Sequence, residues 1–180
     1  MNAAEGRGAT TIEGGCEART IMGKAALLAC VALMLVVTTS RAEKPSARDS
    51  GVVQSCIKSA GDDRQQLERC IGGVADPCAE KPDAQSTADQ VACADRERAV
   101  WDDILNETFR RLREHLDTKQ KIKLRDMQRA WIESRNRTCD FYWDFFQGTM
   151  ASPMSAFCYN RETARRALFL LAFLNTAESR

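Results

Sequence analysis

Apolar residues in the second half of the chain recur every three or four positions, which is the period of an amphipathic α-helix. The first of three such stretches is capped by Ser86 or Thr87, the second begins at Asp117 and ends near Gly148, and the third opens at Pro153. Proline is tolerated in a first helical turn. No segment alternates with the period of a strand, so the pattern predicts an all-α fold. The apolar positions are Val91, Trp101, Ile104 or Leu105, Thr108, Leu112 and Leu116; Leu124, Met127, Trp131, Thr138, Tyr142 and Phe145; and Phe157, Ala164, Leu168, Leu171 and Ala172.

Smaller elements are predicted before these helices. Gly61 separates two short helices, and Asp62 is the expected N-cap of the second. A linker is expected at residues 43–51, and the two short helices at residues 52–59 and 62–71. A loop is expected at residues 76–85. We therefore expect a disulfide-stapled bundle of three long helices with a short N-terminal helical hairpin. Residues 1–42 are expected to form a leader with a signal peptide, and residues 43–51 a linker. The cysteine-containing hairpin with its loop is expected at residues 52–85, and the main helical domain at residues 86–177.

The first 42 residues have the layout of a secretory signal. Lys24 lies in a short basic segment, an apolar run follows, and small residues surround a cleavage position after Ala42. The run is too short for a confident membrane span of ~20 apolar residues, and its polar leader suggests that translation starts at Met22. An uncleaved anchor is one alternative. Another is a lipid anchor at Cys30, because Leu27-Leu28-Ala29-Cys30 resembles a bacterial lipoprotein box. Cleavage would make the protein periplasmic or secreted.

The cysteines also indicate export. The chain has 8, and removal of the signal segment with Cys16 and Cys30 leaves an even number, which is typical of a disulfide framework in a short exported domain. Six cysteines allow 15 pairings. We expect the sequential one, which is Cys56–Cys70, Cys78–Cys93 and Cys139–Cys158. No Cys-x-x-Cys pair occurs and His115 is the only histidine, so we expect no metal site.

The charges of the chain balance in total but not along its length. The 26 basic and 25 acidic residues argue against a nucleic-acid binder. Residues 43–104 carry 8 basic and 13 acidic side chains, whereas residues 105–180 carry 14 and 9. The simpler interpretation is ordinary variation of a solvated surface. The alternative is an acidic face that attracts a cationic protein.

Trp131, Arg135 and Cys139 are spaced four residues apart and therefore share one face of the second long helix. A cysteine on this face predicts a disulfide to the next helix, with the arginine inside the joint. A buried guanidinium needs a carboxylate or several carbonyl oxygens, so we expect an ion pair that fixes the helix register. The candidate partners are Glu97, Asp103, Glu107 and Asp140.

The most aromatic segment of the chain covers more than one helix face, so its rings cannot all enter one core. We expect most of them to pack around the last disulfide. The alternative is an exposed anchor surface, because aromatic residues are enriched in binding hot spots. Trp143 lies off the main stripe and is the residue expected to be exposed. The segment consists of Phe141, Tyr142, Trp143, Phe145 and Phe146.

The sequence lacks the patterns of common catalytic sites. It contains no Gly-x-Ser-x-Gly, Walker or His-Glu-x-x-His motif. His115 lies near a predicted helix C-terminus, where capping is the simplest role for an imidazole. No serine or cysteine is linked to it as a nucleophile. The chain is therefore predicted to be a non-enzymatic protein without a cofactor.

Three segments of the predicted helices carry recognisable motifs, with the residues Trp101, Leu105 and Asn106; Gln128, Trp131, Arg135 and Cys139; and Cys158, Thr163 and Arg166. In this order they resemble the motifs of the LprI-like family of bacterial exported lysozyme inhibitors. The resemblance extends over about residues 88–174. Two features depart from the family pattern: Asn136 stands where an aspartate is usual, and the segment from Cys56 to Cys78 lies outside the motifs.

The resemblance implies a helical domain of the periplasm or cell envelope and, for some members, inhibition of host lysozyme. The first hypothesis is therefore a protein that binds and sterically inhibits a lysozyme or a related muramidase, which is a cationic partner. An envelope adaptor or structural protein that binds another protein through Trp143 is the alternative. A peptidoglycan-active enzyme is disfavoured because no acid–base pair is evident. Membrane contact is expected only through the signal segment or the alternative anchor at Cys30. The candidate partner contacts are Asp62, Asp63, Glu68, Asp102, Asp103 and Trp143.

Overall fold

A computed structural model describes residues 45–180 as an all-helical bundle with no strand in that range. The predicted fold class is therefore confirmed. The expected signal segment, its cleavage after Ala42 and the alternative lipid anchor at Cys30 lie outside the described residues. Within the described part, no helix is long and apolar enough to cross a membrane. The helices are α1 (Ala47–Ala60), α2 (Arg64–Glu68), α3 (Ala75–Ala79), α4 (Thr87–Glu114), α5 (Thr118–Phe146) and α6 (Ala151–Glu178).

The long helices begin where the sequence signals place them. Ser86 caps α4 in a reciprocal capping box with Asp89, and Asp117 caps α5 in the same way with Gln120. Each box satisfies backbone N–H groups that have no partner inside the helix. Pro153 lies in the first turn of α6, as predicted. These local interactions explain why the ends of the helices could be predicted from sequence.

The three long helices do not pack equally. Helices α4 and α6 form the most extensive helix–helix contact, whereas α5 packs chiefly on α6. The core between α4 and α6 includes Trp101, Leu105, Leu170 and Leu174, all at most 3% exposed. In α5 only Leu124 and Cys139 are fully buried. Helix α5 is therefore an outer helix with one main neighbour.

The N-terminal elements differ from the predicted ones in their bounds. Helix α1 begins at Ala47, five residues before the predicted start, because the Ser46 hydroxyl accepts a hydrogen bond from the Asp49 amide. It therefore includes part of the expected linker. Asp63, not Asp62, caps α2. The expected loop after residue 75 starts with helix α3, in whose first turn Pro77 needs no amide hydrogen.

Three disulfides join the elements in the predicted sequential order. Cys56–Cys70 and Cys78–Cys93 connect the N-terminal elements to each other and to α4, with Cα–Cα distances of 5.7 and 5.5 Å. Cys139–Cys158 joins α5 to α6 at 5.5 Å. Each closes a loop of 14 to 19 residues, which is worth about 3 kcal/mol in the chain-entropy model. These crosslinks supplement the modest core of a small domain.

The N-terminal elements are also held by one buried carboxylate. Glu97 of α4 is 0% exposed and accepts hydrogen bonds from the amides of Gly72, Val74 and Ala75 at 2.7–2.8 Å. The indole Nε1 of Trp101 donates a fourth hydrogen bond at 2.8 Å. Both carboxylate oxygens thus have two donors, which offsets the cost of burying the group. Glu97 therefore joins the segment before α3 to α4.

Gly72 is required at this junction. Its φ of +95° lies in the left-handed region, and a Cβ there would collide with the side chain of Asp76. Burial raises the pKa of Asp76 above its ordinary value of 3.8, and the nearby charges of Glu97 and Glu80 raise it further. Ionised Asp76 is therefore disfavoured in the folded protein relative to the unfolded chain.

Candidate functional site

Residues of the second and third motifs meet along the contact between α5 and α6. The Arg135 guanidinium carbon lies 4.8 Å from the centre of the Trp131 ring, and the Arg166 guanidinium carbon lies 5.5 Å from it. Both distances are within the range of cation–π attraction. The indole of Trp131 therefore connects an arginine of α5 to an arginine of α6.

The same kind of contact continues in both directions. Arg135 also lies 5.3 Å from the ring centre of Tyr159, which Arg98 of α4 approaches at 6.0 Å. At the other end, Arg166 lies 5.1 Å from the ring centre of Phe169. We call this alternating row the arginine–aromatic ladder. It consists of Arg98, Tyr159, Arg135, Trp131, Arg166 and Phe169.

Polar side chains orient the two central guanidiniums. Arg135 donates to the Thr163 hydroxyl at 3.2 Å and, more weakly, to the side-chain oxygen of Asn136 at 3.4 Å. Arg166 donates from Nε to the Gln128 side-chain oxygen at 2.8 Å. Gln128, Thr163 and both arginines belong to the motifs that resemble the family. The motifs thus encode the helix–helix joint itself.

The prediction that Arg135 forms an ion pair is wrong. Across residues 45–180, no carboxylate lies within salt-bridge distance of its guanidinium. Among the four expected partners, Glu97 binds backbone amides instead, and Asp140 accepts a hydrogen bond from the Tyr159 hydroxyl at 2.9 Å. Aromatic faces replace the carboxylate because they attract a cation and bury apolar area together.

The arginines of the ladder are not suited to general acid–base catalysis. Burial lowers the pKa of Arg135 and of Arg166, and for Arg135 the charge of Asp102 opposes that shift. Guanidiniums nevertheless remain protonated in proteins. Burial and the hydrogen bond to Asp140 raise the pKa of the Tyr159 hydroxyl. The ladder can therefore hold two helices in register and carry positive charge, but its arginines cannot accept a proton.

The C-terminal end of α5 carries the most exposed aromatic surface of the described residues. Phe141, Trp143 and Phe145 are 59%, 51% and 66% exposed. The expected burial of most of these rings is therefore wrong, whereas Trp143 is exposed as predicted. The rings are exposed because α6 covers only one side of α5. We call this surface the aromatic tip, which consists of Phe141, Tyr142, Trp143, Phe145, Phe146 and Met150.

The acidic residues predicted as partner contacts do not form one surface. Asp62 and Glu68 line a groove with the exposed rings of α6, and Glu68 pairs with Arg165 at 3.4 Å. Asp63 is occupied as a helix cap. Asp102 lies close enough to Arg135 for its charge to raise the pKa of that guanidinium. Asp103 lines a different groove beside α1. Their role in partner binding stays a prediction.

Two of the three remaining motif residues belong to the core. Trp101 and Leu105 are buried, whereas Asn106 is exposed. Sequence reasoning missed the anchoring role of Glu97 and the ladder positions Tyr159 and Phe169. A usable signal existed for Glu97, because it precedes Trp101 by four residues and so shares its buried face. Nothing comparable in the sequence indicates that Tyr159 stacks against arginines from two other helices.

These contacts define a disulfide-stapled helical domain whose motif residues build an internal joint. The model of the family described as lysozyme inhibitor LprI matches residues 78–170, which is just over half of the chain. The chain therefore belongs to this family. The match begins at Cys78, earlier than the resemblance suggests, and therefore includes the Cys78–Cys93 disulfide. No curated protein and no solved structure matches the chain.

Proposed function

We propose that the protein acts in the periplasm or cell envelope, where it binds a lysozyme or a related muramidase and blocks the enzyme sterically. The family match carries this proposal, because every residue of the arginine–aromatic ladder lies inside residues 78–170. A family whose motifs encode a rigid joint is suited to present a fixed surface.

Rigidity favours inhibition by occupation of a cleft. A surface that is ordered before binding loses less conformational entropy when the complex forms. In this protein Cys139–Cys158 and the ladder both restrict α5 relative to α6. His115 caps α4 and lies 3.9 Å from Glu178, which supports a structural role for the histidine.

The three disulfides support an oxidising location such as the periplasm. For the acidic residues, we propose long-range steering of a cationic enzyme rather than a single contact face, because they lie in separate places. Steering of this kind accelerates association and weakens as ionic strength rises. The charge reversals Asp62→Lys and Asp103→Lys test it without removing the helix cap at Asp63.

Lysis of a bacterial cell suspension by lysozyme, followed by turbidity, tests the proposed function. We expect the oxidised protein to slow lysis in a dose-dependent way near stoichiometric ratios, and we expect added salt to weaken the effect. The reduced and alkylated protein is the control for a folded inhibitor. Full lysis in the presence of excess oxidised protein, with several types of lysozyme, would contradict the proposal.

A second candidate function is an envelope adaptor that binds a different protein through the aromatic tip. The observation that favours it is the exposure of Trp143. The adaptor requires that Trp143→Ala lower recovery of a specific partner in a pull-down while lysozyme is not inhibited by the wild type. Equal recovery with both forms would argue against it.

A further inference from the structure

The aromatic tip is a preformed cluster rather than a set of scattered rings. Phe141 and Phe145 lie 5.9 Å apart between ring centres, Tyr142 and Phe146 lie 5.7 Å apart, and Phe145 meets Phe146 edge-on at 5.0 Å. These separations are within the range in which aromatic rings attract each other. The rings therefore support one another while Phe141 and Phe145 remain mainly exposed to solvent.

The charged residues nearest the tip along the chain are acidic, whereas Arg161 of α6 lines a groove with Tyr142 and Met150. Between residues 138 and 160 the chain contains no lysine or arginine, and its only charged side chains are Asp140 and Asp144. These two are four residues apart and therefore share a face of α5. The other end of α5 carries the basic run at residues 119–129. Charge is thus separated along the helix, and the aromatic end is the acidic end.

The tip is fixed to the bundle at its base. The Cys139–Cys158 disulfide immediately precedes it, and the Tyr159 hydroxyl of α6 donates to Asp140. Beyond the rings, the chain turns sharply through Gln147 and Gly148, with φ of 38° and 129°. Anchored aromatic rings lose little rotamer entropy on binding. The tip therefore has the properties of a binding hot spot.

We propose that the aromatic tip, together with Asp140 and Asp144, is the surface that contacts the cationic muramidase. This inference rests on the proposed function and assigns its contact site. Large aromatic side chains supply the buried centre of an interface, and carboxylates at the edge pair with basic residues of the enzyme. This surface replaces the dispersed acidic residues of the α1–α2 junction, α2 and α4 as the point of contact.

Charge argues for this occupant over two others. An anionic lipid surface would repel Asp140 and Asp144, because its negative surface potential attracts basic segments instead. In a symmetric pair of two copies, the same patch would face itself, so the four carboxylates would be brought together. A cationic protein is the partner for which both the rings and the carboxylates are favourable.

Inhibition constants of matched variants test the inference. Phe145→Gln should weaken inhibition of lysozyme by roughly 30-fold, as expected for an anchor residue. Phe173→Gln is the control, because Phe173 is another exposed phenylalanine, 52% accessible, on α6 outside the tip. The control should inhibit like the wild type. Asp140→Lys combined with Asp144→Lys should slow association about tenfold at low salt.

The outcomes separate the contact site from the function. Equal inhibition by wild type and Phe145→Gln, with both proteins folded by circular dichroism, overturns the contact site and leaves the function standing. Absence of inhibition by the wild type overturns both. Two further results would also overturn the contact site if Phe145→Gln leaves inhibition unchanged. In the first, the variant no longer floats with phosphatidylcholine vesicles, and in the second, it no longer forms dimers in sedimentation. The first result would assign the tip to lipid and the second to a second copy.

Discussion

Helices α4 and α5 are almost equal in length but are held in place by different means. Helix α4 has 28 residues, of which eight are fully buried, whereas α5 has 29 and buries only Leu124 and Cys139. The first is fixed by a hydrophobic core with one buried carboxylate. The second relies chiefly on a row of arginines and aromatic rings and on the disulfide to α6, because both helices have a capping box and a disulfide but only α4 has an extensive core. The comparison shows that one side of a small bundle can be closed with little apolar burial, which leaves that side free to present a binding surface.

The largest effect is expected in the core of α4. Trp101→Ala should lower the free energy of unfolding by about 3–5 kcal/mol, because it removes a fully buried indole and leaves a cavity. It also leaves one Glu97 oxygen with a single donor. Urea denaturation measures the change. A loss below 1 kcal/mol would mean that α4 is not the principal support of the fold.

The main covalent support of α5 comes next. Cys139→Ala combined with Cys158→Ala should cost about 3 kcal/mol, as estimated from the loop that the bond closes. Hydrogen exchange should then report faster opening of α5 than of α4, because α5 retains few buried contacts. Uniform loss of protection in both helices would contradict the separate support proposed for α5.

The buried carboxylate of α4 gives an intermediate effect. Glu97→Gln should cost about 2 kcal/mol, because its amide nitrogen would face backbone N–H groups that need an acceptor. The variant keeps nearly the same shape, so the loss would come from hydrogen bonding rather than from packing. Stability measured by thermal unfolding provides the test. Wild-type stability of Glu97→Gln would show that the carboxylate is not needed at this position.

A smaller effect is expected from the ladder in α5. A double-mutant cycle with Arg135→Met and Trp131→Leu should give a coupling energy of about 1 kcal/mol, as for a partly buried cation–π pair. Each single change keeps an apolar side chain on the stripe, which limits cavity effects. Additive losses in urea denaturation would show that the guanidinium and the indole act independently.

The smallest effect concerns Asp76 and its pH dependence. Its raised pKa means that ionisation costs the folded state more than the unfolded one, so this cost is present at neutral pH and disappears below the ordinary pKa of 3.8. Asp76→Asn should therefore stabilise the protein at pH 7 and give no advantage at pH 3. Unfolding curves at the two pH values measure the difference. A benefit confined to pH 3 would reverse the assigned sign.

The parts of this fold that were predictable depend on local chemistry. Ser86 and Asp117 start helices through side chains only three residues from their partners, and sequential disulfides join neighbouring elements. The role of Glu97 could not be predicted in full, because its partners are backbone amides 22 to 25 residues earlier. Backbone donors leave no signature in the choice of amino acids.

The exposure of the aromatic tip was mispredicted for a topological reason. Periodicity shows that a helix has an apolar side, but not how many neighbours cover it. Phe141 and Phe145 are solvent-exposed because α5 packs mainly on α6. The pairing of Arg135 with rings rather than a carboxylate was missed likewise, since Tyr159 reaches it from another helix.

The three tryptophans of the chain occupy three different surroundings, and this gives the protein its own optical reporters. Trp101 is enclosed in the core, Trp131 lies against two guanidiniums in the joint, and Trp143 faces water at the tip. Variants that keep one indole each would report separately on melting of the interior, on separation of the two C-terminal helices, and on arrival of a partner. A single fluorescence experiment could therefore assign each event to its place in the molecule.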